Sequence, residues 1–146
     1  MRILHVSEFI KGGVSTYLNT LIREQLGDAR IRDLRIIANR EHRKFLPDVP
    51  DEVIVPYDYP KRSLSGLNTL GRVVRRTVRD FQPSLVQLTS TFPGVIGRAN
   101  FWNRRWISSK TPPVVYCAQG WSFLMDTGRM KRMAYQLVER CLSPQS

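Results

Sequence analysis

Short apolar runs alternate with longer amphipathic segments along most of the chain. The first run covers residues 2–6, and a glycine-bearing loop separates it from a segment in which apolar residues repeat from Val14 at helical spacing. Gly27 follows that segment, where it can end a helix, and residues 34–38 form the next apolar run. The opening therefore predicts a strand, a glycine loop, a helix and a second strand, joined as a βαβ unit.

The same alternation continues along the rest of the chain. The remaining predicted elements are a strand at 52–55 closed by Pro56, a helix capped by Ser63 or Ser65 and ending at Phe81, a strand at 85–88, a helix at 93–106, a strand at 114–118 and an amphipathic helix at 129–142 whose apolar face includes Met133 and Leu137. Strands alternating with helices indicate an α/β fold: one doubly wound, mainly parallel sheet of about five strands with helices on both faces. Ligands of such sheets bind outside the carboxyl ends of the strands.

Composition excludes several classes of protein. The sequence has neither an apolar run of about eighteen residues nor the pattern of a signal peptide, so we expect a cytoplasmic protein. Cys117 and Cys141 lack CxxC spacing, and the only histidines are His5 and His42. We therefore expect two reduced thiols and no metal site.

Positive charge is the one unusual feature of the composition. Lys and Arg number 23 against 12 Asp and Glu, a net charge of +11, which favours anionic partners. Basic residues, some interleaved with tryptophans, predict contact with an anionic membrane surface, making the protein peripheral on the inner face of the membrane; ordinary solvated helix faces are the alternative. The residues of this predicted contact are Arg72, Arg75, Arg76, Arg79, Arg104, Arg105, Trp102 and Trp106. Nucleic acid is disfavoured, because no zinc finger, RNP-type strand or recognition helix occurs.

The glycine pair before the first predicted helix is a candidate phosphate-binding loop. Gly12 and Gly13 lack side chains, so a phosphate can approach the backbone, and the amides at Val14 and the first helical turn favour an anion. The pattern is neither GxGxxG nor a Walker loop, since Lys11 precedes the glycines. A plain turn before a helix is the alternative.

Two further polar loops follow predicted strands at the same edge of the sheet. Thr89 and Ser90 come after the fourth strand, and Gln119, Gly120 and Trp121 come after the fifth. Because the carboxyl ends of parallel strands share one edge, these loops and the glycine loop are expected to form one site.

Five stretches resemble, in chain order, the N-terminal, acceptor-side Rossmann-like domain of retaining glycosyltransferases of the GT-B type, the family 4-like enzymes. The opening strand ends in His-Val and is followed by Gly-Gly-Val, and the fifth strand runs into a Gln-Gly-Trp loop. The matching stretches are 1–25, 83–90, 92–98, 113–121 and 135–140.

The resemblance implies a role for each loop. Gly12, Gly13 and Val14 would face the phosphates of a nucleotide-sugar donor, the substrate of the complete enzyme, which needs no other cofactor. The loops at Thr89 and Gln119 would line the side of a glycan or lipid-linked acceptor, in polysaccharide or glycolipid biosynthesis. Gln87 and Gln119 stand where the family has histidines; glutamine donates and accepts hydrogen bonds but does not titrate.

The family's nucleotide-binding second domain, with its paired glutamates, has no counterpart in these 146 residues. We therefore expect a chain that is inactive alone and is completed by a C-terminal glycosyltransferase domain or a separate subunit. Two alternatives remain open: a non-catalytic basic module that binds an anionic partner, and an inactive glycosyltransferase remnant.

Overall fold

Five parallel strands and two long helices make up the described part of the chain. The computed structural model describes residues 1–58, 64–90, 93–94 and 112–119, together with the single positions 133, 137 and 140. Its elements are β1 (Arg2–Ser7), α1 (Gly13–Leu26), β2 (Asp33–Asn39), two 3₁₀ helices (Arg40–Phe45 and Asp51–Val53), β3 (Ile54–Tyr57), α2 (Leu64–Phe81), β4 (Leu85–Thr89) and β5 (Val114–Cys117).

The strand order is β3-β2-β1-β4-β5, and every neighbouring pair is parallel. The chain adds β2 and β3 on one side of β1 and then returns to add β4 and β5 on the other side. This reversal between β1 and β4 confirms the predicted doubly wound sheet and creates a topological switch point there.

The two helices cover opposite faces of the sheet. Leu4 and Val6 of β1 lie in one buried cluster with Leu70, Val74 and other residues of α2, the α2-side cluster. A second cluster, the α1-side cluster, holds residues of α1 and the alternate residues of β2. Alternation along β1, β2 and β4 thus buries both faces of the inner sheet, as predicted, and each fully buried Leu or Ile contributes roughly 2 kcal/mol.

The end of α1 differs from the prediction in its details. Leu26, the last residue of the helix, is 43% exposed, so the buried face of α1 ends at Ile22. Gly27 caps the helix with a φ of −83°, a right-handed conformation that other residues also adopt. Its amide donates to the Arg23 carbonyl at 3.2 Å.

The third strand begins two residues later than predicted. Residues 51–53 form a 3₁₀ helix, and β3 continues through Pro56 instead of ending before it. Pro56 is tolerated because β3 is the edge of the sheet, where a missing amide donor leaves no inner ladder unpaired.

Two predicted helices lie mostly outside the described residues. Pro93 and Gly94 are helical, which agrees with the start of the helix predicted at 93–106. In the helix predicted at 129–142, residues 133, 137 and 140 are helical. Met133 and Leu137 were predicted to face the core; they are instead 60% and 63% exposed.

Candidate functional site

The carboxyl ends of β1 and β4 form the centre of the candidate site. Ser7 and Thr89 are paired in the parallel register at the last position of the two strands. After β1 the chain continues into α1 on one face of the sheet. Before β4 it passes through α2 on the other face. A crevice at such a switch point is where doubly wound sheets bind ligands.

The glycine loop reaches this crevice at the N-terminus of α1. Gly12 has φ 56° and ψ −133°, a conformation open to glycine alone. Its carbonyl accepts hydrogen bonds from Ser15 and Thr16 at 3.0 and 3.2 Å, which fixes the first turn. No acidic residue lies in that turn, and a Cβ atom at Gly12 or Gly13 would meet no atom of the described residues within 4 Å. The positive end of the helix therefore faces open space that suits an anion.

The loops after β4 and β5 adopt the same unusual backbone conformation. Ser90 has φ 80° and Gln119 has φ 54°. The Ser90 amide donates to the Cys117 carbonyl at 3.1 Å, and its carbonyl accepts from the Gly94 amide at 3.0 Å, so the two loops are tied together. Non-glycine residues at positive φ cost about 1–3 kcal/mol each and concentrate at functional sites. The two loops follow neighbouring strands and therefore lie at the same edge of the sheet, the one formed by the carboxyl ends of the strands.

Thr89 is placed differently from Ser90 and Gln119. Its side chain is fully buried, as is that of Ser7 beside it. Neither hydroxyl has a hydrogen-bond partner within the part of the chain that the structure describes. Thr89 was predicted to line the acceptor side of the site; burial removes it from direct contact with solvent, whereas Gln119 is exposed.

Polar side chains of the sheet and of α1 are hydrogen-bonded to each other beneath the crevice. Gln87 donates from Nε2 to the Tyr17 hydroxyl at 2.8 Å, and His5 donates from Nε2 to Gln25 Oε1 at 2.7 Å. Burial raises the pKa of the Tyr17 hydroxyl, although the Gln87 hydrogen bond acts in the opposite direction. Burial likewise lowers the pKa of His5 to about 4, so the imidazole is neutral. Gln87 is therefore buried and ties β4 to α1.

Tyr17 and Cys117 were not identified from the sequence as part of the site. Cys117 accepts a hydrogen bond at Sγ from Gln119 Nε2 at 3.3 Å, and it raises the pKa of the nearby Tyr17. The available signal was the position of Tyr17, one turn after the glycine loop. Its partner Gln87 lies 70 residues away in the sequence, so no local pattern reveals the pair.

The predicted contact residues on α2, here called the basic stripe, are Arg72, Arg75, Arg76 and Arg79. Helix α2 covers the face of the sheet opposite α1. Arg76 and Arg79 contact Asp80 at 3.6 and 3.3 Å, and Arg72 donates to Thr69 at 3.3 Å. The stripe stays separate from the glycine loop. Its contact with a membrane surface stays a prediction. In the described ranges, no helix combines the length and apolar character needed to cross a membrane.

Six of the predicted contact residues have no described position. They lie outside the described residues and comprise Gly120, Trp121, Trp102, Trp106, Arg104 and Arg105.

Comparison with known proteins identifies the fold. No family model matches the chain. A protein of Klebsiella pneumoniae, described as an uncharacterized 41.2 kDa protein in the cps region, is 29% identical over 146 residues, which is all of this chain and 38% of that protein. The chain therefore spans well under half the length of this relative.

Two solved structures share the architecture over the whole chain. The UDP-GlcNAc 2-epimerase of Neisseria meningitidis, bound to UDP-GlcNAc, matches with a TM-score of 0.68 at 15% identity, and the match covers 38% of that protein. A Listeria monocytogenes protein assigned as a UDP-N-acetylglucosamine 2-epimerase matches with a TM-score of 0.69 at 7% identity over 37% of its length. At such low identity the likeness establishes the fold. The fold is Rossmann-like.

Proposed function

We propose that this chain supplies one side of a nucleotide-sugar site in an enzyme of polysaccharide biosynthesis. The observation that carries the proposal is the meeting of the positive-φ Gly12 loop, the uncapped start of α1 and the strained Ser90 and Gln119 loops along one sheet edge. Support comes from the solved structures, whose named enzymes act on a nucleotide sugar, and from the relative in a cps region.

Within that class we favour glycosyl transfer over epimerisation. Epimerisation breaks and remakes a C–H bond and so requires a positioned general base. Among the described titratable groups near this edge, the His5 imidazole and the Glu8 carboxylate are buried, and the Tyr17 hydroxyl, whose pKa is raised by burial, is hydrogen-bonded to Gln87. Gln87 and Gln119 themselves do not titrate. The groups at this edge can hold a sugar donor and an acceptor in place by hydrogen bonds. This fits a transferase in which the chain positions its substrates, with a glycan or lipid-linked molecule as acceptor.

The remaining part of the site is proposed to come from elsewhere in a longer protein or from a separate subunit. The chain spans 38% of the Klebsiella relative, which leaves room there for a second nucleotide-binding domain. One glycine loop and one helix terminus offer few contacts, so the isolated chain should bind a nucleotide sugar only on the order of millimolar. We expect no sugar transfer by the chain alone.

Glycine substitutions test the phosphate-binding role of the loop. Gly13→Ala is expected to weaken binding of UDP-N-acetylglucosamine about tenfold, because the methyl group enters the open space at the start of α1 where the phosphate would lie. The positive φ is found at Gly12 and not at Gly13, so this variant should fold normally. Gly12→Ala should weaken binding as much and also destabilise the fold by about 1–2 kcal/mol.

Gly27→Ala is the matched control. It lies at the other end of α1, has a right-handed φ, and its Cβ would make only ordinary contacts at 3.6 and 3.8 Å. Ligand-observed NMR titration of the three variants gives the dissociation constants. Equal affinity in Gly13→Ala and Gly27→Ala would remove the glycine loop from the proposed site.

A further inference from the structure

A concave notch lies at the end of the sheet opposite the glycine loop. Strand β3 pairs with β2 only from Ile36 onward, so residues 33–35 of β2 run past the start of β3. The uncovered corner lies against the C-terminal half of α2 and forms a cavity of about 490 Å³. Its lining comes from four elements, β1, β2, β3 and α2.

Inside this notch the guanidinium groups of two arginines lie over one aromatic ring. The Arg2 guanidinium lies 4.5 Å from the centre of the Phe81 ring, and the Arg35 guanidinium lies 5.9 Å from it. Phe81 is 7% exposed and belongs to the α2-side cluster, so it forms a rigid apolar base for both cations. Guanidinium groups held in this way present flat faces on which a planar ring can stack.

The notch carries an unbalanced positive charge. Arg35 lies 3.9 Å from Asp33 and also donates to the Glu52 carbonyl, and Arg76 lies 3.6 Å from Asp80. Arg2, which is half-buried, forms no ion pair with any described residue. The lining therefore has three guanidinium groups and two carboxylates, a net charge of +1. Among the described residues, the unpaired guanidinium is that of Arg2, which lies against the Phe81 ring.

We propose that this notch binds a planar aromatic molecule that carries a single acidic group. The ring stacks on the Arg2 guanidinium and contacts the apolar wall of Val55 and Val73, and the acidic group is held by Arg2 and Arg76. A volume of about 490 Å³ lies within the usual range for small-molecule sites. The site is independent of the proposed nucleotide-sugar site, because it lies at the amino ends of the strands.

Aryl carboxylates and nucleoside monophosphates both have the required chemistry, and two probes distinguish them. Amide chemical shifts of the isotope-labelled 146-residue chain are followed during titration with 2-naphthoate and, separately, with uridine monophosphate. Binding of either probe with shift changes centred on Arg2, Arg35, Val55 and Thr77 supports the proposal, and the tighter probe assigns the source. Changes confined to residues 12–14, or no changes with both probes, would overturn it. Shifts at residues 12–14 report on the nucleotide-sugar site, so the two proposals can fail separately.

Arginine variants test which groups hold the probe. Arg2→Gln should weaken binding about fivefold or more, and Arg2→Lys should restore only part of it, since lysine keeps the charge but loses the flat stacking face. Arg76→Gln should also weaken binding, and because the Arg76 side chain is 80% exposed this variant leaves the core intact. Arg72→Gln is the control, since it removes the same charge one turn earlier on α2, outside the cavity lining. An equal loss in Arg72→Gln would mean general charge attraction and would overturn the site.

Discussion

Gly94→Ala should lower the free energy of unfolding by about 3 kcal/mol, although it adds only one methyl group. A Cβ atom at Gly94 would lie 2.3 Å from Cε2 of the Tyr116 ring and 2.8 and 2.9 Å from Cδ2 and Cζ. Tyr116 packs against the α2-side cluster, and the Gly94 amide is hydrogen-bonded to the Ser90 carbonyl. Neither the ring nor the backbone can move without a loss elsewhere.

Urea unfolding of a double-mutant cycle measures this effect. In a Tyr116→Ala background, the ring is gone, and Gly94→Ala should then cost less than about 0.5 kcal/mol. Gly27→Ala serves as the control for a harmless alanine, since its Cβ contacts are ordinary. If Gly94→Ala costs the same with and without the Tyr116 ring, the close packing of Gly94 against that ring is wrong.

The stability of the chain should fall by about 3 kcal/mol as the pH is lowered from 7 to 4, through His5. Burial lowers the pKa of His5 from 6.5 to about 4 in the folded state. The unfolded chain therefore binds a proton at higher pH than the folded chain does. The contribution is fully present above pH 6.5 and is lost as the pH falls toward 4. Burial lowers the pKa of His42 as well, so its effect has the same sign.

Urea unfolding at several pH values measures this dependence, and His5→Gln is the informative variant. It cannot titrate, so most of the slope between pH 6.5 and 4 should disappear, while His42→Gln should remove a smaller part. The side-chain hydrogen bond from Arg30 lowers the pKa of Asp28 to about 2, so Asp28 titrates below this range. A slope that persists unchanged in His5→Gln would show that the buried imidazole is not its source.

Much of the fold could be predicted from the sequence because the periodicity changes clearly from strands to helices. The apolar spacing of Leu70, Val74 and Val78 gives α2 its buried face. The 3₁₀ helix Arg40–Phe45 could not be predicted, since it has no apolar repeat. One local signal does precede it: the Asn39 side chain accepts from the Glu41 amide at 3.1 Å, as an N-terminal cap does.

Local sequence also limits what could be predicted of the candidate site. Gly12, Ser90 and Gln119 were predicted to share one edge because they follow parallel strands, and the structure has those strands in one sheet. The burial of Thr89 depends on its register with Ser7, and the bond from Gln87 to the Tyr17 hydroxyl depends on how α1 crosses β4. Both arise from tertiary packing, which residue spacing alone does not encode.

A chemical-shift map of the isotope-labelled chain titrated with UDP-N-acetylglucosamine tests the central proposal most directly. We predict weak binding, on the order of millimolar, with the largest amide shifts at Gly12, Gly13 and Val14 and smaller ones at Ser90 and Gln119. Shifts centred on the notch beside Arg2, or the absence of any shift at residues 12–14, would contradict a nucleotide-sugar site at this edge of the sheet. Submicromolar binding by this chain would contradict the need for a second part.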